Sequence, residues 1–94
     1  MNVVEWTSTA EDDYLALLSE TYQQSTENGV LLYERMETLI ENLRQFKHLC
    51  PATKRFPKFR RCTVTRNLSL VYEVGEHSIT VISIFDVRKD NPFI

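Results

Sequence analysis

Two stretches of this sequence concentrate side chains able to do chemistry. The first is KRFPKFRRCTVTR, residues 54–66, with Lys54, Arg55, Lys58, Arg60, Arg61 and Arg66 and no acid. Cations interleaved with Phe56 and Phe59 can grip a phosphate backbone. The same composition also serves a solvated loop and an edge strand protected by charge. The second stretch is DVRKDNP, residues 86–92, which follows an apolar run and stops at a proline. Arg88 keeps its charge at any working pH, so it must meet a carboxylate, a phosphate or solvent. Asp86, two residues earlier, lies on the same side of an extended chain. An internal Asp86–Arg88 pair and an outward-facing arginine are both open.

The remaining titratable groups offer less. His48 falls at a helix end, where the last carbonyls favour a cation. His77 falls in a hairpin turn, and neither has a nucleophile near it in the pattern. Tyr72 is mid-strand and reads as core. There are no paired carboxylates, no phosphate loop and no serine-nucleophile elbow. Cys50 and Cys62 are read as two reduced thiols, because a small secreted domain carries more cysteines at framework spacing. The histidines lie at no zinc-ligand spacing from them. No cofactor and no metal are expected.

The elements that must position these residues fit one domain of 94 residues. No run approaches the ~20 apolar residues of a membrane span. The first residues, MNVVEW, lack a basic region and an apolar signal core, which predicts a cytoplasmic location. Net charge is only −2, but unevenly spread. Residues 1–46 hold nine acids and two bases; residues 47–66 hold seven bases and no acid. Such asymmetry points to charged partners.

VVEW (3–6) is β-branched and aromatic, a short strand. Ser8 and Glu11 match a capping box for a helix over 8–25 whose stripe is Ala10, Tyr14, Leu17, Leu18 and Tyr22. Ser25 or Thr26 caps a second helix, with Leu32, Met36, Leu39, Ile40, Leu43 and Phe46 on one face; Pro51 follows its end. The short link predicts an antiparallel hairpin. Strands are predicted over 59–65, 68–74 and 78–87, forming a meander that the first strand joins at its edge. Asn67 is read at a positive-φ turn position. Strict alternation in the last strand sets Ile79, Val81, Ser83 and Phe85 against Thr80, Ile82, Ile84 and Asp86. The fold class is therefore α+β, in the order β-α-α-β-β-β, a helical hairpin on one face of a small antiparallel sheet. Both sheet faces carry apolar residues, so a second covering element is expected, from this chain or a partner.

This order resembles the RelE/ParE superfamily of toxins from type II toxin–antitoxin systems. So do WTSTAEDDY at the first helix, Pro51 after the second, SLVYEV in the middle strand and IFDVRKDNP at the end. The resemblance spans nearly the whole chain. It implies a growth-inhibiting toxin, of the kind used in plasmid stabilisation, neutralised by a cognate antitoxin that supplies cover for the exposed surface. It implies one of two activities. RelE-like members are ribosome-dependent mRNA endoribonucleases that use basic side chains and a C-terminal tyrosine or histidine. ParE-like members bind and poison DNA gyrase. In the nuclease pattern an arginine stands where this chain has Ser69, and a tyrosine or histidine follows the position of Arg88; here the tail is KDNPFI. The resemblance therefore favours the ParE side, with Lys54, Lys58, Arg60, Arg61, Arg66 and Arg88 as candidate target or phosphate contacts. A stand-alone nucleic-acid-binding module using residues 54–66 is the reading from outside the toxin classes.

Overall fold

The computed structural model describes residues 1–93. Its elements are β1 (Val3–Trp6), α1 (Ser8–Gln24), α2 (Thr26–Gln45), β2 (Phe59–Thr65), β3 (Leu68–Val74) and β4 (Ser78–Asp86). None of the described helices is long and apolar enough to cross a membrane.

Each helix begins where a side-chain oxygen can replace a missing acceptor. The cap of α1 is Thr7, one residue before the sequence expectation; its Oγ1 accepts from Ala10 N–H at 3.1 Å. Glu11 is then too far along to return the bond that a capping box requires. Ser25 alone joins the helices. In an extended conformation it donates its N–H to Thr21 O and accepts from Asn28 N–H on its Oγ, so one residue closes α1 and opens α2. Reversal within one residue forces the helices antiparallel. Gly29 is required by this close turn, because a Cβ there would lie 2.5 Å from the ring of Tyr22.

The sheet is mixed, in the order β1-β4-β3-β2. β2, β3 and β4 form the expected antiparallel meander, while β1 joins β4 in parallel. Periodicity marks a strand but carries no direction, so only the fold revealed this. The Arg66–Asn67 turn between β2 and β3 contains no positive φ, which corrects the expectation at Asn67, and a register shift between Thr63 and Thr65 precedes it.

A second irregularity has larger consequences. Val71 pairs with Ser83 but Tyr72 pairs with Val81, so Ile82 is an extra residue in β4. A bulge shifts the side-chain alternation by one from that point. Ile84 and Asp86 therefore join Ile79 and Val81 on the helix side, while Ser83 and Phe85 turn to the other face. This corrects the uninterrupted alternation read from the sequence.

The helix-side core contains Ala10, Tyr14, Leu32, Met36, Leu43, Leu70, Tyr72, Ile79 and Val81. Met36, Leu43, Leu70 and Tyr72 are at most 1% exposed, so truncating any aliphatic one to alanine costs about 2–5 kcal/mol. Phe46, expected on the α2 stripe, instead caps the helix end and is 61% exposed. On the opposite sheet face, Ser69 and Val71 are also buried. Part of the cover comes from the chain itself: the tail folds back and Phe93 packs 5.6 Å from Phe59, 5.9 Å from Phe56 and 6.3 Å from Phe85.

Between α2 and β2 the chain doubles back along the sheet edge. Ala52 pairs with Arg60, Arg61 N–H donates to Pro51 O at 3.0 Å, and Thr53 N–H donates to Phe59 O at 2.8 Å. Two residues out from the Ala52–Arg60 pair on either side stand Cys50 and Cys62, with Cα atoms 5.3 Å apart, joined as a disulfide. The expectation of two reduced thiols is thus corrected. Cysteine count and compartment cannot reveal that a 12-residue excursion brings its ends face to face.

Candidate binding surfaces

The bulge in β4 and the alternation of β2 divide the candidate residues among separate surfaces. Arg60 and Arg61 are neighbours in sequence but point to opposite faces. Arg60 pairs with Tyr72 on the helix side and donates from Nη1 to Cys50 O at 2.7 Å. That bond ties it to the disulfide loop. Arg61 pairs with Val71 on the other face, donates from Nε to Ser69 Oγ at 3.1 Å, and lies 5.7 Å over the Phe85 ring.

The loop closed by the disulfide holds Lys54, Arg55 and Lys58, all exposed. Arg55 lies 5.6 Å over the Phe56 ring and the Lys58 ammonium 4.9 Å over Phe59. Thr53 fixes the turn between them: its hydroxyl donates to Phe56 O at 2.6 Å and accepts from Phe56 N–H at 3.1 Å. These cations cluster at the start of β2, above an aromatic base.

Arg88 and Arg66 lie elsewhere. Leu68 pairs with Asp86, four residues along β3 from the level of Arg60, or about 13 Å. Arg66 is exposed in the β2–β3 turn, which Val87 N–H ties to β4 through Asn67 O at 2.8 Å. Arg88 holds Asp86 bidentately, from Nε at 3.0 Å and Nη2 at 2.6 Å, and its backbone N–H adds a third bond at 2.9 Å. These bonds, the side-chain ones first, pull the Asp86 carboxyl down to about 2 and raise Arg88 above its ordinary value. The internal pair forms, yet the Arg88 side chain stays 69% exposed. It borders a groove of about 460 Å³ between the helical hairpin and the end of the sheet, with Leu17, Leu31, Leu68 and Arg35 also on its walls.

Proton-transfer groups are scarce beside either cluster. His48 and His77 are exposed in turns, away from the Arg61–Ser69 face. Tyr72 is buried, and its hydroxyl donates to Lys47 O at 2.8 Å while accepting from Cys50 N–H at 3.3 Å. Burial raises its pKa. Glu73 shares the face of Arg61 but is four residues from Ser69 along β3, again about 13 Å.

Sequence reasoning missed the aromatic cluster of Phe56, Phe59, Phe85 and Phe93. Phe93 beside Pro92, in an otherwise charged tail, was the available signal. It also missed Lys47, whose ammonium donates to Glu76 O at 2.8 Å and Gly75 O at 3.3 Å and so ties the end of α2 to the β3–β4 turn.

Residues 4–91 match the family described as ParE toxin of type II toxin-antitoxin system, parDE. No curated protein sequence is significantly similar. Among solved structures, the chromosomal ParDE system from P. aeruginosa is similar with a TM-score of 0.75 at 20% identity, covering 93% of this chain and 97% of that one. A YoeB/ParE toxin from Agrobacterium tumefaciens gives 0.64 at 19% identity, covering 89% and 96%. The YoeB-YefM complex from Staphylococcus aureus gives 0.59 at 16% identity, covering 89% and 94%. At these identities the structural likeness speaks for the fold, and the family match carries the assignment. With its β-α-α-β-β-β order and a match over nearly its whole length, the chain belongs to the ParE toxin family of type II toxin–antitoxin systems.

Proposed function

We propose that this toxin inhibits growth in the cytoplasm by binding DNA gyrase, and that a co-encoded antitoxin neutralises it. The observation that carries the choice over mRNA cleavage is the face around Arg61. Ser69 stands there in place of an arginine, 1% exposed, with its hydroxyl engaged by Arg61. Among the described residues no histidine or tyrosine side chain reaches it, and general acid–base cleavage needs such a group within hydrogen-bond reach. Residues 89–94, which follow Arg88, include no tyrosine or histidine either.

Antitoxin binding rests on two features. Leu15, Tyr22, Val30, Leu31 and Tyr33 leave apolar surface exposed on the helical hairpin, and the cations near β2 suit an acidic segment. YoeB of Staphylococcus aureus, similar in fold, forms a complex with YefM, which agrees with this pairing. A stable complex buries at least ~1,200 Å² in total. Elution of toxin and co-expressed neighbour as separate species at micromolar concentration would refute it.

The target is tested by assaying gyrase supercoiling beside primer extension on translated message. Loss of supercoiling with intact message is expected. Codon-positioned cuts that vanish in Arg88→Ala would replace this reading with the nuclease one. Growth assays of Arg88→Ala and of Arg60→Ala/Arg61→Ala, with thermal melts as folding controls, locate the contact surface. Loss of toxicity with an unchanged melt is expected for the contact residues. Full toxicity in every variant would make these arginines ordinary surface charge.

A further inference from the structure

The Cys50–Cys62 bridge has a placement unlike that of a framework staple. It joins the segment after α2 to β2 and encloses residues 51–61, which carry Lys54, Arg55, Lys58, Arg60 and Arg61. The main core does not depend on it, because the helices and strands meet through Met36, Leu43, Leu70 and Tyr72. Each half also has a resting place without the bond. Cys62 is 2% exposed within the core cluster, and Cys50 packs against that cluster. A free thiol behaves as a small apolar side chain in such a site.

The enclosed segment has few other constraints. Phe59, Arg60 and Arg61 belong to β2 and are held by β3. Residues 51–58 rest on the Ala52–Arg60 pair, the Thr53 turn, backbone bonds from Thr53, Phe59 and Arg61, and the packing of Phe56 against Phe59 and Phe93. Arg60 Nη1 adds its bond to the carbonyl of Cys50 itself. Pro51 and Pro57 contribute no N–H. A short segment held by a handful of edge hydrogen bonds opens locally at low cost, and a covalent closure is what suppresses that opening.

We infer that Cys50–Cys62 is a thiol–disulfide exchange site, reduced by a dithiol, whose reduction frees the basic loop 51–58 while β2 and the rest of the domain stay folded. The exposures of the two cysteines set the order of events. A thiolate of the reductant attacks Sγ of half-buried Cys50, forming a mixed disulfide and expelling Cys62, which takes up a proton. The reductant's second thiol then attacks its own sulfur in the mixed disulfide, expels Cys50 and closes as a disulfide. Two electrons and two protons pass from the dithiol to the protein. The inference does not depend on the identity of the toxin's target. It adds a control over how Lys54, Arg55 and Lys58, three of the chain's eleven Lys and Arg residues, are presented.

The test uses the full chain purified without reductant. Denatured alkylation should find no free thiol before dithiothreitol and two after it, appearing together. Limited trypsin digestion then compares the two wild-type forms at the bonds after Lys54, Arg55 and Lys58. Cleavage there should be about tenfold faster or more in the reduced form, with cleavage elsewhere and the circular dichroism spectrum unchanged. Cys50→Ser/Cys62→Ser should cut like the reduced protein and ignore dithiothreitol. The wild-type comparison needs no mutant, so a variant that fails to fold leaves it intact. Two free thiols in the starting protein would overturn the inference. So would equal loop cleavage in the two wild-type forms, or global unfolding on reduction.

Discussion

Arg61 donates its Nε–H to the hydroxyl of Ser69 at 3.1 Å, across the β2–β3 pair and beneath the fold-back of the tail. The bond fills the position that an arginine occupies in the nuclease pattern, so the position is not free to accept one. Ser69→Arg should place a second guanidinium beside Arg61 at a site with 1% exposure. Overpacking and like charge together should cost about 2–4 kcal/mol and leave message cleavage absent. Denaturant titration reads the first, primer extension the second; a stable variant with codon-positioned cuts would contradict both.

Tyr72→Phe should cost about 1–3 kcal/mol. The ring stays packed, but Lys47 O loses its donor and Cys50 N–H its acceptor in a part-buried setting. Chemical denaturation measures the loss. A change below about 0.5 kcal/mol would mean that water takes over both bonds.

Tyr14 gives the opposite sign. Its buried hydroxyl has no hydrogen-bond partner among the described residues, while its ring stacks on Trp6 at 5.6 Å. Tyr14→Phe keeps the stack and removes the orphan, so stability should rise by about 1 kcal/mol. Burial first, then the charge of Glu37, pushes this phenol from 10.0 to about 12. The unfolded chain therefore ionises first. Stability should fall between pH 10 and about 12 in the wild type, with Tyr14's share of that fall absent in Tyr14→Phe.

Asp86 titrates at the other extreme. Its carboxyl is depressed from 3.8 to about 2 by Arg88, so the native state favours the ionised form. The contribution is complete above the unfolded value and disappears as pH falls through about 2. Carboxyl NMR titration should place Asp86 near 2 in the wild type and close to the ordinary carboxylate range in Arg88→Ala. Unchanged titration in that variant would show that the pair does not persist in solution.

Phe93→Ala should expose the face over Val71. Phe93 touches Phe56, Phe59 and Phe85, and half-buried aromatic contacts of this kind are worth roughly 1–3 kcal/mol together. Loss of stability together with dye binding to the uncovered face is the expected result. An unchanged melt would mean that the tail rests on the face without holding it.

The order of elements was legible in the chain, because apolar spacing at about 3.6 or 2 residues is a local property. The sequence narrowed the junction of the helices to Ser25 or Thr26 and put Leu32, Met36, Ile40 and Leu43 on one apolar face. It also marked Ser69 and the tail after Arg88 as departures from the nuclease pattern. What it could not hold was anything set by pairing between distant residues. The parallel direction of β1, the extra residue at Ile82 and the meeting of Cys50 with Cys62 all depend on which backbone lies alongside which. The bulge shows the physical reason most directly. One unpaired residue reverses every later side chain in β4, sending Phe85 to the aromatic face and Asp86 to the groove. Arg60 and Arg61 fall on opposite faces of β2, and Arg88 follows β4 at the far end of the sheet, so strand register assigns the three arginines to separate surfaces.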